Sequence, residues 1–226
     1  MSEERHRLGL SRREAIAGAA AAGAGAGLFV LLRGGPDEAD SAVSAPACVL
    51  APEQTEGPYY IDDHLIRSDI RDGKSGVPLS LRLQVLDAST CKPIRGATVE
   101  VWHCDAIGQY SGFNAPGKFL RGGLRSGSTG HVTFKTIYPG WYQGRTTHIH
   151  VKVHVGGHVV HTGQLYFADA TTASIYRARS PYRSRGQKDM PNSADMVFAS
   201  GGRRSMLRLS KSGSGYVGRL ALGVRA

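Results

Sequence analysis

Apolar and polar residues alternate along much of the chain beyond residue 48. Leu81-Arg82-Leu83-Gln84-Val85-Leu86 changes character almost residue by residue, and Thr98-Val99-Glu100-Val101-Trp102 does the same. This period of two turns one side of an extended strand toward a core and the other toward water. Pro93 and Gly96 lie between the two runs and supply a turn. Further alternating runs occupy 131–137, 148–155, 159–167 and 216–224, and no 3.6-residue amphipathic pattern of useful length accompanies them. Short strands punctuated by turn signals predict an all-β fold, a two-sheet antiparallel β-sandwich with long loops. Between Ala170 and Met196 the pattern dissolves into polar, basic sequence with Tyr176 and Tyr182. This segment reads as a long loop over one end of the sandwich in preference to an aromatic-interleaved surface for single-stranded nucleic acid.

The 30 glycines and 10 prolines follow no period, so they mark turns and not a fibrous or low-complexity repeat. A length of 226 residues suits one domain with an appendage. The formal net charge is +10, and residues 1–47 hold five Arg against six acidic residues, so the remainder carries +11. A field of that sign attracts anions over long range and says little about fold.

Residues 1–47 read as an address. Ser11-Arg12-Arg13-Glu14-Ala15-Ile16 precedes an uncharged, Ala- and Gly-rich stretch over 15–32, and small residues follow at 42–47. The pattern resembles a twin-arginine export signal with its linker, which places the folded domain at 48–226 and the protein outside the cell. Contact with the membrane is then transient, during export, and an uncleaved anchor at its outer face is the alternative. Among Cys48, Cys91 and Cys104, the last two sit at opposite ends of one strand region, beyond disulfide reach. Either Cys48 bridges one of them or all three remain buried thiols.

The candidate chemistry begins with His148-Ile149-His150. Two positions apart in a strand, both imidazoles share a face about 6.6 Å apart along the backbone and can chelate one ion, whereas His154 lies about 13 Å further on. Around them stand Val101-Trp102-His103-Cys104-Asp105-Ala106-Ile107-Gly108-Gln109-Tyr110, Tyr138-Pro139-Gly140-Trp141-Tyr142-Gln143-Gly144-Arg145, Gly163-Gln164-Leu165-Tyr166-Phe167 and Thr55-Glu56-Gly57-Pro58-Tyr59-Tyr60. In this order and spacing the motifs resemble the intradiol ring-cleavage dioxygenases, the family of catechol 1,2-dioxygenase and protocatechuate 3,4-dioxygenase, and among these the small secreted bacterial members. The resemblance runs from Cys48 to the C-terminus.

It implies an Fe(3+) ion held by Tyr110, Tyr142, His148 and His150, with Arg145 and Gln164 as an active-site polar pair. Tyr142 doubles as a departing ligand and base, and Pro58, Tyr59 and Ile107 line the substrate pocket. The implied substrates are a small catechol and O2, opened between the hydroxyl-bearing carbons to a muconate-type diacid, with no role for nucleic acid. Phenolate suits such a site because it is a hard anionic donor that favours ferric iron. Tyr138 reads as core, His103 and His131 as structural, Trp102 as an anchor between the sheets and Asp105 as a turn former. A secreted, non-catalytic β-sandwich binding module is the competing expectation. The helical N-terminal region through which catechol 1,2-dioxygenases dimerise is lacking, so no oligomeric state carries over.

Overall fold

The computed structural model describes residues 48–226. The export segment at 1–47 lies outside the described residues. Alternating runs become strands β1 (Pro78–Asp87), β2 (Thr98–Trp102), β4 (His131–Ile137), β5 (His148–Val155), β6 (His158–Tyr166) and β8 (Gly215–Val224). Two short strands, β3 (Arg121–Arg125) and β7 (Arg208–Ser212), complete two four-stranded sheets ordered β4-β1-β8-β7 and β3-β2-β5-β6.

The expectation of all-antiparallel sheets needs one correction, because β1 and β8 run parallel, Leu79 beside Tyr216 through Asp87 beside Val224. Alternation dictates which side a residue faces, and strand direction is left to the connections, so the pattern alone did not reveal this pairing. Strand β1 buries one parity, Leu79, Leu81, Leu83 and Val85, which meet Leu222 and Val224 of β8. From the other sheet come Val99, Val101, Ile149, Val151, Val153 and Leu165, closing the core between the layers.

A second correction concerns the basic stretch after residue 169. It carries helix α1 (Asp169–Ala178) and two single-turn helices, α2 (Tyr182–Arg185) and α3 (Met196–Ala199). The buried side of α1 is only Thr172, Ile175 and Tyr176, too narrow an apolar stripe to register as a helical period. Tyr176 and Tyr182 stack at 5.5 Å, and Tyr182 Oη donates to Tyr138 O, so these aromatics anchor the helices to the end of the sandwich.

Residues 51–66 cross the outer face of the β3-β2-β5-β6 sheet as a strap. Cys48 is tied to Cys91 by a disulfide, and Ala51 N donates to Gly223 O. Further on, Glu53 contacts His161 at 2.7 Å, Gln54 donates to Val197 O, and Tyr60 Oη donates to Glu100 at 3.0 Å. Cys104 is a buried free thiol.

Candidate active site

Parity in β5 creates the site. Ile149, Val151 and Val153 enter the core, so His148, His150 and Lys152 face outward, beneath the strap. Pairing then sets a row across the sheet: Arg121 on β3 opposes Trp102 on β2, Trp102 opposes His150, and His150 opposes Gln164 on β6. Cross-strand partners point to the same side, so side chains from four strands meet on one face.

Two loops add the phenols. After β2 the chain turns on Asp105, whose Oδ1 accepts from the backbone N–H of Ile107 and Gln109 while Lys74 pairs with Oδ2. This is the expected turn-forming role, and it delivers Tyr110, fully buried, with its ring stacked on Tyr59 at 4.2 Å. The second loop follows β4, where Gly140 packs so closely on the backbone of Asp105 and Ala106 that a Cβ would fall 2.4 Å from Asp105 O. It ends at Tyr142, partly exposed beside His148.

Donor atoms converge here. His148 Nε2 lies 3.1 Å from His150 Nε2 and 3.2 Å from Tyr142 Oη. His148 Nδ1–H donates to Thr146 O, which leaves Nε2 as a bare lone pair aimed at the others. Tyr110 Oη is buried without a hydrogen-bond partner among the described residues. Burial, reinforced by the Arg145 charge, pushes His148 down to about 3, and burial with His148 beside it holds His150 well below the ordinary imidazole range. Burial raises Tyr110 well above the usual phenol value and Tyr142 to about 12, the latter eased by Arg145.

Arg145 donates from Nη2 to Gln164 Oε1 at 2.6 Å, from Nε to Asp195 Oδ2 at 2.9 Å, and approaches Tyr142 Oη through Nη1 at 3.4 Å. The single hydroxyl proton of Tyr166 is shared between Gln164 Oε1 and Gln54 Oε1, each 3.1 Å from Oη. Of the expected pocket residues, Tyr59 covers Tyr110 and meets Tyr142 edge-on at 5.5 Å, Pro58 lies exposed beside it, and Ile107 sits exposed in the Asp105 turn.

Several expectations change. Trp102 is not an anchor between sheets: it packs with Cys104 and Tyr110 and stacks on His150 at 4.9 Å and 6°. His131 is exposed at the start of β4, whereas His103 is structural, bonded to Cys104 O and Thr136. Tyr138 is core, hydrogen-bonded to Thr172. Asp195, Gln54 and Tyr166 belong to the site and were missed. Asp195 lies 50 residues from Arg145 and Gln54 lies 112 from Tyr166, and although Tyr166 is only two from Gln164, the alternation that marks β6 gives it no special signal.

The donor set fits a metal ion. Among the described residues no three His, Cys, Asp or Glu side chains converge for one. Two neutral imidazoles, the buried Tyr110 phenol and the partly exposed Tyr142 phenol do, the former phenol having no other partner. Such a set suits a hard, highly charged cation that turns the phenols into phenolates.

The family model described as "Dioxygenase" matches residues 52–185. A chlorocatechol 1,2-dioxygenase of Cupriavidus pinatubonensis is 32% identical over 140 residues, 50% of this chain and 52% of the relative. An intradiol ring-cleavage dioxygenase from Tetranychus urticae superposes with a TM-score of 0.75 at 37% identity, covering 78% of this chain and 95% of that one. The dioxygenase domain of a carbohydrate-binding fusion protein from Streptomyces sp. SirexAA-E gives a TM-score of 0.61 at 31% identity over 77% of this chain and 97% of that domain. The chain therefore belongs to the intradiol ring-cleavage dioxygenase family. It spans between about a third and a half of the length of the curated relatives it matches.

Proposed function

We propose that the protein is an iron(III) enzyme that opens catechols between their two hydroxyl-bearing carbons, consuming O2 and giving muconate-type diacids. The observation that carries this is the convergence of Tyr142 Oη and the Nε2 atoms of His148 and His150 within 3.2 Å, beside the unpartnered Tyr110 Oη. Tyr110, Tyr142, His148 and His150 would hold the ion, which when bound supplies Lewis acidity toward the catechol oxygens.

The side chains divide the remaining work. Both histidines are held neutral by burial, so they bind without first losing a proton. Tyr110 is fixed by the Tyr59 stack, whereas Tyr142 is partly exposed and borders Arg145, so Tyr142 is the phenolate free to swing out and take a substrate proton. Arg145 faces that same oxygen and is placed to stabilise negative charge developing on the ring, and Gln164 holds both Arg145 and the strap at Thr55 O. Tyr59 and Pro58 wall the substrate side, and the strap keeps bulk water from the donors.

Residues 1–47 are proposed as a twin-arginine export signal, which places this chemistry in extracellular breakdown of aromatic compounds. Mass spectrometry of protein from its host finding residues 1–40 intact in the cytoplasm overturns that part. The enzymatic reading is tested by metal analysis with oxygen uptake on a panel of catechols and identification of products. One iron per chain, a red-purple colour and ring-opened diacids are expected, all lost in His148→Ala. A colourless zinc protein, or a His148→Ala variant with full colour and turnover, overturns it.

A further inference from the structure

Arg145 spends its three donor directions on three different acceptors: Asp195, Gln164 and Tyr142. Only one of these is a fixed charge. The Tyr142 oxygen changes protonation in the proposed reaction, and Gln164 is a neutral amide shared with Tyr166. Asp195 is 1% exposed, and its carboxylate is held on all sides. Oδ1 accepts from Val197 N and Phe198 N as the N-cap of α3, while Oδ2 accepts from Thr146 N and Arg145 Nε. Burial raises its pKa, but these four donors outweigh burial and keep it below the usual carboxylate range. The segment that carries it is itself pinned to the loop entering β5 and to α1, because Thr146 Oγ1 donates to Asn192 and Lys188 reaches both Thr146 and Asp169.

We propose that Asp195 is a positioning residue of the active site, acting through Arg145 to aim Nη1 at the Tyr142 oxygen and at charge developing on the substrate. Bonding Nε to a rigid carboxylate removes rotation about the guanidinium stem. Pairing also makes the Arg145–Asp195 unit neutral, so the guanidinium can attract a phenolate without placing an uncompensated cation beside the donors. The proposal rests on the dioxygenase reading above.

The test is Asp195→Asn. The amide oxygen keeps the cap on α3, as Asn is a good N-cap, while the amide nitrogen turns a donor toward Arg145 Nε and Thr146 N. Expected are a kcat lower by roughly 10- to 100-fold with KM changed less than about threefold, from lost orientation at a bound substrate. Iron content stays at the wild-type level while the visible phenolate band shifts. On an Arg145→Ala background the substitution has no further effect on kcat. A wild-type kcat in Asp195→Asn, or the same fold loss on the Arg145→Ala background, overturns the proposal. A crystal structure of the variant judges it without turnover: Arg145 turned away from Tyr142 supports it, and an unmoved Arg145 overturns it even if the wild-type protein opens no catechol, a result that would sink only the reaction assignment. If the Asn variant does not fold, Asp195→Ser caps α3 equally well without the charge and carries the same expectations.

Discussion

A single methyl group at Gly57 should press directly on the candidate metal centre. Gly57 has φ +74°, and a Cβ there would lie 3.1 Å from Cε1 of His150. The imidazole cannot retreat freely, because Trp102, itself only 2% exposed, is stacked against it. Two costs add in Gly57→Ala: a left-handed backbone for an L side chain, about 1–2 kcal/mol, and overpacking against a rigid ring, about 1–3 kcal/mol. At roughly 2–4 °C per kcal/mol for a domain of this size, the melting temperature should fall by about 4–20 °C. Gly73 is the internal control, with φ +77° and nothing within 4 Å of its added Cβ. Gly73→Ala carries the backbone cost alone and should lose only about 2–8 °C. Calorimetry of both variants, with the rate at which a chelator strips iron from each, isolates the pressure on His150. Equal melting temperatures and equal iron loss in the two variants would refute the reasoning.

Other perturbations probe separate parts of the molecule. Cys48 and Cys91 are 43 residues apart, so replacing both by Ser should cost about 4 kcal/mol by loop-closure entropy, read as a lower denaturation midpoint, and no loss would show that the bridge constrains nothing in the unfolded chain. Burial lowers His103 to about 4 from an ordinary 6.5, so the unfolded chain binds the proton more tightly, and stability present above pH 6.5 is lost as pH falls toward 4, by about 3 kcal/mol. A His103→Gln protein should show a flatter stability profile across that window in urea titrations, and an unchanged slope would refute this. Arg145→Ala should keep iron and open rings about 100- to 1000-fold more slowly in oxygen-uptake assays, whereas an unchanged rate would make its charge irrelevant to the transition state.

What the sequence revealed, and what it hid, follows from the range of the signals. Strand alternation is local, so β1, β2, β4, β5, β6 and β8 stood out, and motif order marked Tyr110, Tyr142, His148 and His150. The strands β3 and β7 escaped because Arg-Gly-Gly-Leu-Arg and Arg-Leu-Ser-Lys-Ser barely alternate. Helix α1 escaped because it rests on three buried residues. Trp102 looked like core filler because sequence shows that an indole will be buried, and only register opposite His150 shows against what. Asp195 was invisible for the same reason, 50 residues beyond the arginine it holds. The bridge to Cys91 in preference to Cys104 was settled only by the fold, which buries the latter thiol beside Trp102.

Strand β5 has a broader consequence for how such a protein can diversify. Its odd residues hold the two layers together, and its even residues carry the imidazoles. A slip of one residue in pairing would put histidines into the oil and isoleucine and valine under the strap, so register is guarded by both jobs at once. Substitutions on the even side leave the interior packing untouched, so the face beneath the strap can be rewritten without reopening the question of whether the chain folds.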